Sequence, residues 1–111
     1  MSAMKATAGP FIVTHRHGTE TFSRRAFATL EDAREHAWTT THQIDASTHS
    51  LSLARAKWGT LTETGGTVEL PDGTVIEVEP IGFSRLYDAA GMTWLATPGE
   101  VIQAFNAKQA A

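Results

Sequence analysis

Cationic and imidazole side chains gather in one short stretch of the chain, His15-Arg16-His17 followed by Arg24 and Arg25. In an extended strand residues two apart face the same way, so His15 and His17 share a side, a spacing from which some metal sites are built. A site of that kind needs a third ligand. His36 and His42 do not share one helix face, and bringing either of them or His49 to the pair would be left to tertiary folding. The sequence therefore gives no metal site, and the histidines read first as exposed residues of a hairpin. Arg16, Arg24 and Arg25, with Lys5 from the tail, make a cationic surface suited to phosphate groups or to an acidic partner. A nucleic-acid domain normally shows a wider basic footprint and a pI above about 9, whereas the sequence pI here is 5.9.

Other chemistries find less support. Acid-base or nucleophilic catalysis requires a positioned pair, and the adjacent Glu35-His36 and the trio Ser84, Arg85 and Asp88 belong to no recognisable motif. The glycines at Gly65-Gly66 and Gly73 are turn glycines, without the Gly-Lys-Ser/Thr ending of a phosphate loop. Cysteine is absent, which excludes disulfides, thiol nucleophiles and Cys-based zinc sites. The expectation is a chain that is not an enzyme and uses no cofactor. Trp38, Trp58 and Trp94 point toward contact instead, because Trp is over-represented at binding hot spots, although a small core would claim two of the three. Trp38 lies at the edge of an apolar helical stripe and joins the five hairpin residues as a candidate partner contact.

The elements that must position these residues follow from periodicity. Phe11 to His17 is rich in β-branched and aromatic residues, Gly18 suits a tight turn, and Thr19 to Arg24 resumes a strand around Phe22, which predicts a hairpin. Thr29 is placed to cap a helix with Asp32 three residues on, and Leu30, Ala33, Ala37, Thr41 and Ile44 recur at spacings of three and four, predicting a helix from Leu30 to Ile44. Leu51, Ala54 and Trp58, between Ser50 and Gly59, predict a second, shorter helix. Val68 and Leu70 before Pro71-Asp72-Gly73, with Val75, Ile76 and Val78 after it, predict a second hairpin. Phe83, Leu86, Tyr87 and Ala90 fit a two-turn helix, with a hairpin turning at Asp88 to Gly91 as its rival. Thr97-Pro98-Gly99-Glu100 has the cap, first-turn proline and capping glutamate of a helix start, and Val101, Ile102 and Phe105 give that helix an apolar face. The expected fold class is α+β, two β-hairpins forming an antiparallel four-stranded sheet with helices packed on one face, in ββα-ββα order.

Composition sets the scale. At 111 residues the chain is expected to hold a flexible tail over 1–10 and a single domain over 11–111. Hydrophobic residues make up 41%, but Ala supplies 17 of them, leaving 29 larger ones for a core. So thin a core makes self-association, and with it a homodimer, plausible. The net charge of −3 hides a division: residues 1–58 carry seven Lys/Arg and five Asp/Glu, residues 59–111 carry two and seven. All five histidines lie in the first part, so protonation would deepen the contrast. Met1 to Ala6 lacks the apolar run of a signal peptide, and no stretch is long and apolar enough for a membrane span, so a cytoplasmic protein is expected.

Phe11-Ile12-Val13 running through Thr19-Glu20-Thr21-Phe22 into Thr29-Leu30-Glu31-Asp32-Ala33, the segment from Gly65 to Val78, and the Ala/Thr-rich style are similar to the small orphan proteins that actinobacterial phages encode outside their structural genes. The resemblance implies an accessory protein made early in infection, in the host cytoplasm, that binds a host or phage component without catalysis. It carries over no catalytic residue. The expected function is thus a small non-catalytic protein-binding module engaging its partner through His15, Arg16, His17, Arg24, Arg25 or Trp38. The alternatives are a nucleic-acid-binding accessory factor using the first hairpin and a small structural or assembly component.

Overall fold

Two hairpins meet along their inner strands to form one sheet. The computed structural model describes residues 10–45, 50–59, 61–62, 64–93 and 96–110. In chain order the elements are β1 (Phe11–His17), β2 (Glu20–Phe27), α1 (Leu30–Ile44), α2 (Leu51–Trp58), β3 (Gly66–Glu69), β4 (Thr74–Pro80), α3 (Phe83–Ala90) and α4 (Pro98–Ala110). The sheet runs β2-β1-β4-β3 and every neighbouring pair is antiparallel, with Val13 opposite Val78 and Thr14 opposite Glu77 where the hairpins join. The α+β class and the four-stranded antiparallel sheet are those the sequence predicts, and the segment from Phe83 to Ala90 is a helix rather than a hairpin.

The helices are not confined to one face as expected. Phe11 and Val13 of β1 join Ile76 and Val78 in a core closed by Ala33 and Ala37 of α1 and Trp58 of α2. Ile12, between them in sequence, points the other way and packs with Ala26, Leu86 of α3, and Val101 and Phe105 of α4. The physical reason is that three consecutive apolar residues on a strand present apolar surface to both sides, and each side must be covered. On that second face α4 lies over β2, and Glu69 of β3 and Val75, Glu77 and Glu79 of β4 stay exposed or half-exposed. Pro10, assigned to the tail by the sequence, is fully buried, and its carbonyl accepts the Ile81 N–H at 2.9 Å, so it belongs to the folded unit. The expectations for Met1 to Gly9, His49 and Trp94 lie outside the described residues.

Local chemistry fixes the ends of these elements. The Thr29 hydroxyl accepts the Asp32 N–H at 3.1 Å, capping α1. At α4 the box closes in both directions, Glu100 N–H to the Thr97 hydroxyl at 3.2 Å and Thr97 N–H to the Glu100 carboxylate at 2.8 Å. Helix α3 starts after Gly82 and ends on left-handed Gly91. In the β3–β4 turn Asp72 accepts the Thr74 N–H at 2.9 Å and Gly73 takes φ 91°, a conformation that favours glycine.

A buried contact clasps the two helices of the first face together. Thr41 is fully buried in α1, its hydroxyl donating to the Ala37 carbonyl at 2.8 Å while accepting the Trp58 indole N–H, also at 2.8 Å. Nearby, Lys57 of α2 reaches Asp45 at the end of α1 with 3.5 Å between charged atoms. Together these set how α2 lies on α1, and therefore where α2 carries Arg55.

Candidate interaction surface

The six residues singled out from the sequence fall into three places. At the tip of the first hairpin, strand alternation sends His15 and His17 to the α1 face and Arg16 to the other. Arg16 is paired there with Glu77 at 3.1 Å and also donates to the Gly18 carbonyl. His17 lies on the second hairpin, with Nε2 2.9 Å from the Asp72 carbonyl oxygen, and the His15 ring packs against Phe22 with 5.2 Å between centres and a tilt of 52°. These contacts tie the tip into the sheet. Burial lowers the His15 pKa, with Asp72 opposing the effect. The Asp72 carboxyl is lowered by hydrogen bonds from Thr74, backbone first and side chain second, and by His17.

The second place is the outer edge of β2. A bulge in β2, opposite His15 and Arg16, sets Phe22 out of register, and Phe22 is 54% exposed, more than Leu53 or Phe83. Arg24 and Arg25 flank the strand on opposite faces. The Arg24 guanidinium lies 5.7 Å from the Phe105 ring centre and that of Arg25 5.9 Å from Phe27, so an aromatic ring holds each charged head. No carboxylate among the described residues pairs with either. Phe22, Ser23, Arg24 and Arg25 wall a cleft of about 220 Å³ with Asn106 and Gln109 of α4. On the α1 side of the same strand, Phe27, Asp32, Glu35, His36 and Thr39 line a shallow groove of about 410 Å³. The His36 ring rests on Phe27 at 5.0 Å, and burial, then the Arg25 charge, lowers its pKa.

Asn106 gives this edge a special character. Its side-chain carbonyl accepts the Ala26 N–H at 2.7 Å and its amide donates to the Ala26 carbonyl at 3.1 Å, so one side chain takes both places that a neighbouring strand would occupy. With the bulge at Phe22, the edge is interrupted at two points, which disfavours strand-to-strand association. The surface offered here is one of side chains.

Trp38, the third place, sits on α1 against the first core, half-buried. Arg34 and Arg55 both lie on its ring, at 5.5 and 4.6 Å from the centre. The sequence reading missed both arginines. Arg34 precedes Trp38 by one helical turn and was legible as an i, i+4 pair, whereas Arg55 arrives from another helix through the Thr41–Trp58 clasp. Among the described residues no three His, Asp or Glu side chains gather where they could hold a metal ion, and no helix is long and apolar enough to cross a membrane. No family model, curated protein or solved structure matches the chain.

Proposed function

We propose that this protein is a non-catalytic protein-binding module that meets an acidic partner through the side chains at the edge of β2. The observation that carries the reading is the exposed Phe22 beside a cleft walled by Arg24 and Arg25, neither neutralised by a carboxylate among the described residues. An exposed aromatic anchor with arginines around it has the composition of a binding hot spot. The contacts of both guanidiniums with the Phe105 and Phe27 rings reduce the side-chain freedom lost on association. The likeness to phage accessory proteins makes the bound partner a host or phage component in the cytoplasm. The acidic, exposed β3–β4 face and the net charge of −3 weigh against nucleic acid as the ligand.

The test is an affinity capture from an actinobacterial lysate with the wild-type chain and the Arg24→Glu/Arg25→Glu double variant, each with and without nuclease. A stoichiometric protein that survives nuclease and is lost with the double variant is the expected outcome. Recovery that disappears with nuclease, or that the charge reversal leaves intact, refutes the proposal.

A further inference from the structure

The face of the sheet covered by α1 and α2 carries a second concentration of positive charge, away from α4 and the cleft it forms with β2. Arg34 and Arg55 approach one indole from two different helices, so their guanidinium carbons lie within the sum of 5.5 and 4.6 Å of each other. That is about the distance over which salt screens one charge from another. No carboxylate among the described residues pairs with either, the ion pairs of those residues being Arg16 with Glu77 and Lys57 with Asp45. Packing alone accounts for one arginine laid along a Trp ring. The ring attracts both guanidiniums, and it gathers two positive charges that no carboxylate among the described residues neutralises.

The third polar group in the cluster is also a donor. The Trp38 indole N–H is buried and has no acceptor among the described residues, although a buried donor normally finds one. Trp58 provides the contrast on the same pair of helices, since its indole N–H is satisfied by Thr41. Two guanidiniums on one ring, with no carboxylate beside them among the described residues, are complementary to a ligand that supplies acceptors and negative charge, and the indole N–H of that ring is the group that reports its arrival. Arg55 is exposed and Arg34 and Trp38 partly so, which lets an extended segment lie across both helices. We infer that Trp38, Arg34 and Arg55 form a recognition site for an acidic peptide segment of a partner protein, its carboxylates meeting the two guanidiniums. This site stands or falls separately from the β2 edge.

The experiment uses the full chain labelled with ¹⁵N and a hexaglutamate peptide as probe. The indole N–H resonance of Trp38, identified by its loss in Trp38→Phe, is followed during titration, while that of Trp58, fixed by its bond to Thr41, reports that the fold is intact. The expected result is a saturable shift at Trp38, with affinity falling about tenfold in Arg34→Gln/Arg55→Gln and falling again as salt rises from about 50 to 200 mM. A Trp38 resonance that stays in place at millimolar peptide overturns the inference. So does an equal shift in the double variant with the Trp58 resonance preserved. An oligothymidylate of the same charge that binds the site more tightly than the peptide overturns the assignment of a peptide ligand.

Discussion

Replacing Thr41 by Val removes a hydroxyl while keeping the shape of the side chain, and so isolates the polar part of the α1–α2 clasp. Thr41 is fully buried and Trp58 is 8% exposed, so water has little access to the indole N–H left behind. An unsatisfied buried donor costs about 1–3 kcal/mol. The Ala37 carbonyl loses one of two donors and keeps its helical bond, adding little. For a domain of this size the loss corresponds to a fall in Tm of roughly 4 °C or more. Urea unfolding followed by Trp fluorescence measures it, with an unchanged slope showing that the transition itself is unaltered. Because Thr41 and Trp58 meet directly at 2.8 Å, a double-mutant cycle with Trp58→Phe should return a coupling of about 1 kcal/mol. Thr41→Ser, which keeps both hydrogen bonds, should retain that coupling to Trp58. Strictly additive losses in the cycle, or a Thr41→Val protein within about 0.5 kcal/mol of wild type, would refute the clasp as a source of stability.

Two further perturbations act on the β2 side. Asn106→Ala leaves the Ala26 N–H and carbonyl without their partners and should cost about 1–3 kcal/mol; light scattering should also detect self-association through the reopened strand edge, and a variant as stable and monodisperse as wild type would show that the Asn106 bridge is dispensable. The folded-state pKa of His36 is lowered, so the unfolded chain takes up protons first and stability is lost as pH falls below about 6.5, toward the folded pKa. His15 contributes in the same direction. The urea midpoint should therefore drop between pH 7.5 and 5.5 and drop less in His36→Gln, and a His36→Gln protein with the wild-type pH dependence would exclude the imidazole as a cause.

The parts of the fold that were legible in the sequence are those whose signals are local. The Thr29 cap, the Thr97–Glu100 box and the Pro71-Asp72-Gly73 turn each close a hydrogen bond within three residues, so residue types at fixed spacing suffice to find them. The number of helix-bearing faces was harder because it depends on what meets each side of β1. Its signal was present all the same, in Phe11-Ile12-Val13, three apolar residues where a strand covered on one side would alternate. Asn106 carried no such signal: its role exists only because Ala26, eighty residues away, turns its backbone outward toward α4.

The same parity explains why the sequence's basic hairpin is not a basic patch. Alternation places Arg16 and Arg24 on one face and His15, His17 and Arg25 on the other, and the bulge shifts Phe22 between them. Arg16 is then drawn to Glu77 by the antiparallel register of β1 against β4, in which Thr14 lies opposite Glu77 and Arg16 opposite Val75, so the pair forms diagonally across one face. Among the described residues no carboxylate pairs with Arg24 and Arg25 at the edge or, on the helices, with Arg34 and Arg55. Positive charge that reads as a run in sequence is thus separated by strand parity, while charge that is scattered in sequence, at Arg34 and Arg55, is brought onto one indole by helix packing. The chemistry available to a partner follows from the second process as much as from the first, which is why the Trp38 cluster is where an acidic ligand should be sought alongside the β2 edge.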